Sequence, residues 1–119
     1  MTQVQPGEAE YVQVVTTLDD RDAALALARS AVEARVAACA QLGGPIRSVY
    51  RWQGAIEEAE EFPLVFKTTA AGYPALERHI LDRHPYDTPE IVCTPVLTGN
   101  PAYLDWVTAE TERPARRPG

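Results

Sequence analysis

A chain of 119 residues, 45% hydrophobic and 24% charged, with two Trp and five Tyr, is one domain's worth of folded globule rather than a disordered segment. Seventeen acids against eleven bases give a net charge of −6, which opposes binding to a phosphate backbone, and no apolar run reaches the ~20 residues that span a bilayer. Cys39 and Cys93 form no C-x-x-C pair, and two Cys with two His are too few for a four-ligand structural zinc site, so both read as buried free thiols.

Residues 1–9 are polar and acidic, without a basic start or an apolar h-region, and read as a flexible leader to a cytoplasmic protein. The folded domain is expected over 10–112, followed by a flexible Pro/Arg tail at 113–119. Tyr11 to Leu18 is β-branched and partly alternating, hence a strand. Asp19 and Asp20 stop it, and an Asp N-cap opens a helix whose stripe Ala24, Leu27, Ala28, Ala31, Val32 and Val36 extends it to Ala38.

Gly43, Gly44 and Pro45 separate Cys39–Leu42 from Ile46–Trp52, leaving one bent strand or two. Gln53-Gly54 is a tight turn, and its partner strand runs from about Ala55 to Thr69. Both hairpin strands are long for a small domain, where the mode is about 5–6 residues. Pro74 suits the start of a second helix carrying Tyr73, Leu76, Ile80 and His84, and Pro85 ends it. Glu90 to Leu97 is a last strand, placed at an edge by Pro95, and Asn100-Pro101 opens a terminal helix. The order β-α-β-β-α-β-α predicts an α+β fold, a ferredoxin-like split βαβ sandwich with an additional C-terminal helix. Two helices then cover one sheet face and leave the other bare, which favours self-association.

His84-Pro-Tyr-Asp-Thr-Pro-Glu90 gathers a histidine, a phenol and two carboxylates within seven residues stiffened by proline. Imidazole plus carboxylate suits a first-row divalent ion, with His84 and Glu90 or Asp87 as ligands. A histidine at a helix C-terminus also has a purely structural use, bonding last-turn carbonyls. Lys67, the only lysine, either snorkels outward or faces a polar cleft where it would suit an anion. Glu57, Glu58, Glu60 and Glu61 read as a solvated acidic face. There is no Ser-His-Asp order, P-loop or G-x-G-x-x-G, so no enzyme is expected.

Ala37-Ala-Cys-Ala40, Ser48-Val-Tyr-Arg-Trp-Gln-Gly-Ala-Ile56, Lys67-Thr68-Thr69, His84-Pro-Tyr-Asp-Thr-Pro-Glu-Ile91 and Asn100-x-x-Tyr-Leu-x-Trp106 together resemble the CutA family of divalent-cation tolerance proteins. The resemblance spans about residues 11–109. It implies a ferredoxin-like fold assembled as a tight trimer through extended strands, similar in architecture to PII signalling proteins. It also implies a role in tolerance to copper and other divalent metals. Metal binding in bacterial members is attributed to a cysteine at the end of the first strand and to histidines before the Pro-Tyr. Here Thr16 and Arg83 stand at two of those positions and His84 at the third.

The leading expectation is a cytoplasmic homotrimer of metal response, binding copper or zinc weakly through His84 and Glu90. A ligand cleft between subunits is expected, lined by Lys67, Tyr86, Trp52 and Tyr50. A PII-like sensor of a small anion at the subunit interface, motivated by Lys67, and a purely structural docking hub stay open.

Overall fold

The structure, a computed structural model, describes residues 6–111. Pro6–Glu8 form one 3-10 turn, while residues 1–5 of the expected leader and the expected tail at 113–119 lie outside the described residues.

Strand β1 (Tyr11–Leu18) has the predicted bounds, and its period of two buries Val12, Val14, Thr16 and Leu18 on one face. The Asp20 carboxylate accepts the Ala23 amide at 2.9 Å and caps helix α1 (Arg21–Glu33). This helix ends five residues before the expected Ala38. Ala34 caps it and Arg35 turns into the left-handed region at φ 63°, so Val32 is left exposed and Ala37 and Ala38 lead into the next strand. A non-glycine residue there costs roughly 1 kcal/mol. Offsetting it, the Arg35 guanidinium donates to the Glu110 carbonyl at 3.0 Å at the far end of the terminal helix.

The interrupted segment makes two strands, β2 (Cys39–Leu42) and β3 (Ile46–Trp52). Gln53 and Gly54, at φ 50° and 83°, close the hairpin to β4 (Ala55–Thr69), a single strand of 15 residues. β4 pairs first with β3, then with β2 on one side and β1 on the other. Gly43 sits where the pairing changes, and its amide donates to the Pro63 carbonyl at 2.8 Å. Helix α2 (Tyr73–Arg83), strand β5 (Val92–Val96) and helix α3 (Pro101–Thr111) complete the fold. The antiparallel order is β2-β4-β1-β5, with β3 extending from β4, and β5 is the edge that Pro95 requires.

α1 and α2 cover the face carrying Val14, Leu64 and Phe66, with Leu27, Ala28, Leu76 and Ile80 against it. Burying each such Leu or Phe contributes about 1.5–3 kcal/mol, so this layer dominates the stability. The opposite face is not bare as expected. α3 lies across one end of it, tied by Tyr11 Oη to Thr108 Oγ1 at 2.6 Å, and Val107 is 2% exposed.

A methyl group on Gly43 would meet Pro63 Cγ at 2.8 Å, whereas one on Gly44 meets nothing within 4 Å. Gly43→Ala should therefore lose about 1–3 kcal/mol in denaturant unfolding, while Gly44→Ala stays near wild type. Equal stability of the two variants would contradict the close approach of the chain at Gly43.

Candidate functional site

The hairpin register follows from its turn. Counting back from Trp52↔Ala55 pairs Tyr50 with Glu57, Ser48 with Ala59 and Ile46 with Glu61. Alternation puts Ser48, Tyr50, Trp52, Ala59 and Glu61 on one face, and Arg47, Val49 and Arg51 on the other. The Pro85–Glu90 connection runs opposite that first face. Between them lies an open cleft of about 610 Å³ walled by Tyr50, Trp52 and Tyr86, with the carboxylates of Asp19, Glu61, Asp87 and Glu90.

Glu61 is the unusual member. It is only 8% exposed, and its Oε2 accepts the Tyr86 hydroxyl at 2.7 Å. Burial, together with the Glu61 carboxylate, holds the Tyr86 phenol well above its ordinary range, so it stays protonated and donates. Sequence reading placed Glu61 with its acidic neighbours on a solvated face. The pairing of Glu61 with Ile46 was countable from the Gln53-Gly54 turn, but the return of Tyr86 over it was not.

His84 does not line the cleft. It is buried, with Nε2 2.9 Å from the Thr17 carbonyl and Nδ1 3.2 Å from the Tyr86 amide. A carbonyl only accepts and a backbone N–H only donates, so Nε2 carries the proton and the Nδ1 lone pair is used. The ring also meets Tyr86 edge to face at 4.7 Å. His84 is thus a strut that fixes the start of the loop to β1, not to the last-turn carbonyls of its own helix. Neither nitrogen has a lone pair free for a metal, and Glu90 is exposed on the cleft, so the expected His84–Glu90 pair is not assembled. Thr16 is buried in the core, its hydroxyl without a hydrogen-bond partner among the described residues. Among those residues no three His, Cys, Asp or Glu side chains are arranged to hold a metal ion.

Lys67 is also separated from the cleft within one chain. It lies further along β4, beside Tyr11 and Tyr103 in a cavity of about 380 Å³ under α3, and donates to Gln41 Oε1 at 2.6 Å. Cys39, its cross-strand neighbour, is half-buried with Sγ 3.5 Å from Tyr103 Oη, and Cys93 is exposed rather than buried as expected. His79, passed over in the sequence, shares the buried face of α2 with Leu76 and Ile80 and meets Ser30 Oγ of α1 at 2.8 Å. Its spacing of three from Leu76 was the available signal.

Residues 12–110 match the family described as CutA1 divalent ion tolerance protein. The chain belongs to that family. It is 40% identical over 98 residues to the divalent-cation tolerance protein CutA of Thermus thermophilus, covering 82% of this chain and 95% of that one. It is 42% identical over 107 residues to protein CutA of Mus musculus, covering 90% of this chain but 59% of the mouse protein. The crystal structure of CutA1 from the psychrotrophic bacterium Shewanella sp. SIB1 superposes with a TM-score of 0.85 at 35% identity, over 88% of this chain and 98% of that one. The α+β architecture with an antiparallel sheet and three helices is therefore that of CutA1 structures. The family is named for cation tolerance, not for a reaction. No helix among the described residues is long and apolar enough to cross a membrane.

Burial lowers the basicity of both histidines below the ordinary value of 6.5, with Arg83 adding to the effect at His79. The unfolded chain then binds more protons than the native one below that value. Their contribution to stability is fully present above about pH 6.5 and is lost as the pH falls through and below it. The melting temperature should drop between pH 7.5 and pH 5, and drop less in a His79→Gln, His84→Gln double variant. An equal drop in both proteins would contradict the neutral, buried state of these rings.

Proposed function

We propose that the chain works in the cytoplasm as a homotrimer in the response to divalent cations, with a ferredoxin-like, PII-like protomer and no catalytic step. The strand order β5-β1-β4-β2 supports that protomer reading. The observation that carries the assembly is the β3–β4 hairpin. Val49 and Ile56 are 64% and 60% exposed on one of its faces, Tyr50 and Trp52 are 44% and 50% exposed on the other, and among the described residues β3 pairs with β4 alone. A two-stranded ribbon is marginal in water by itself, and free edges are normally paired or covered. Copies of the same chain supply both covers, and a closed three-fold ring gives every hairpin the same environment.

The family name supplies the divalent cation. The carboxylates of the cleft, and a charge of −6 on every copy, draw cations to the assembly. Copper or zinc is held weakly, through carboxylates, because the committed nitrogens of His84 do not fit a metal site. Lys67, which motivates the small-anion sensor, already donates to Gln41 Oε1, and no observation favours a docking hub.

Light scattering on the eluting protein should give three times the 13.1 kDa chain mass, falling toward one chain in a Val49→Asp, Ile56→Asp variant. A wild-type monomer would contradict the assembly. In equilibrium dialysis with copper or zinc, wild type and His84→Ala should bind equally and weakly. Selective loss in His84→Ala would return the imidazole to the ligand set.

A further inference from the structure

We propose that the β3–β4 hairpin of one copy seats its Val49, Arg51 and Ile56 face in a groove of the next copy, formed where β5 ends and α3 begins, with Arg51 against Glu10 and Asp105. Resting on the trimer reading, this contact names the surface that each hairpin meets.

A closed three-fold ring is heterologous, so each copy presents one patch and receives on another. The receiving patch therefore lies outside the hairpin, and head-to-tail packing sets it away from the hairpin of its own chain. β4 separates two such ends. Its 15 residues span about 50 Å at ~3.3 Å per residue. Ala55 pairs with Trp52 at the hairpin turn, and at the far end Thr69 pairs with Tyr11, which in turn pairs with Val96 of β5. At that far end Val96, Leu97 and Leu104 line a groove of about 530 Å³ together with Glu8, Glu10 and Asp105.

The two patches are opposite in sign. No Lys, Arg or His lines the groove, and the exposed carboxylates of Glu10 and Asp105 form no ion pair among the described residues. On the hairpin, Arg47 lies 3.8 Å from Glu58, whereas Arg51 has no ion pair among the described residues. Arg51 is the cross-strand neighbour of Ile56 and shares its face with Val49, so one cation stands beside two exposed apolar side chains. Leu97, 47% exposed, gives those side chains an apolar partner. The groove beside Trp106 fits less well. It contains Arg35, whose guanidinium already lies 3.9 Å from the carboxylate of Glu110. Opposite charges across an interface fix its register and suppress wrong partners, so this pairing selects the ring among the ways of covering a hairpin.

Light scattering over a dilution series of the full chain at low salt tests the contact. Arg51→Glu, and separately a Glu10→Lys, Asp105→Lys variant, should each dissociate at a concentration at least tenfold above wild type, because like charges then meet. Combining all three substitutions restores opposite charges and should return dissociation toward wild type. The three side chains are exposed, so the far-UV spectrum of each variant should be that of wild type. Deleting residues 113–119, which hold the basic group Arg113, Arg116 and Arg117, should leave the trimer intact. A wild-type monomer would overturn the trimer reading and this contact with it. Three results with a wild-type trimer would overturn this contact alone. They are a charge reversal without effect, a combined variant that is not restored, and dissociation on deleting the tail, which would put those arginines in the groove instead.

Discussion

One uninterrupted strand, Ala55–Thr69, sets the position of every other part of the molecule. Its C-terminal half lies between β1 and β2 and carries Leu64 and Phe66 into the core. Its N-terminal half has β3 as its partner and carries Glu61 into the cleft. Because side chains alternate with a period of two, the register that buries Phe66 also sends Glu61 and Lys67 to the other face. Core packing therefore fixes the direction of the groups that matter for binding. A slip of one residue would expose the core and empty the cleft of its carboxylate together.

The second constraint is the neutral imidazole of His84. Its two hydrogen bonds join β1 to the first residues of the Pro85–Glu90 loop, and its ring supports Tyr86, which in turn reaches Glu61. The chain Thr17–His84–Tyr86–Glu61 connects sheet, loop and hairpin through groups that each have one suitable partner. Such buried polar networks favour one geometry because leaving a member unpaired is costly. The same commitment leaves neither ring nitrogen free to ligate a metal in this geometry.

Much of the architecture is legible in the residues. β1 and β4 show their bounds through β-branched composition and turn chemistry, and the hairpin register follows from Gln53-Gly54. The end of α1 is not legible, because Arg35 in a left-handed conformation is stabilised by carbonyls of Ala109 and Glu110, over seventy residues away. The position of α3 is hidden for a related reason. Its contacts include Tyr11 and Cys39, which the chain order alone does not bring near it. Of the residues named for the cleft, one chain brings Tyr50, Trp52 and Tyr86 together and leaves Lys67 apart, while Glu61 reads in the sequence as solvated. Burial of Glu61 depends on the tertiary return of Tyr86, whereas a charge run by itself resembles any solvated face.

The central claim is that the projecting hairpin, exposed on both faces within one chain, is covered by further copies of that chain. Residue-resolved amide hydrogen exchange tests it most directly at the edge of β3, where alternate N–H groups have no bond to β4. Covered and paired by a neighbouring copy, those amides should exchange slowly, on the scale of the β1–β4 ladder. Rapid exchange there, with β1 and β4 still protected, would contradict the account.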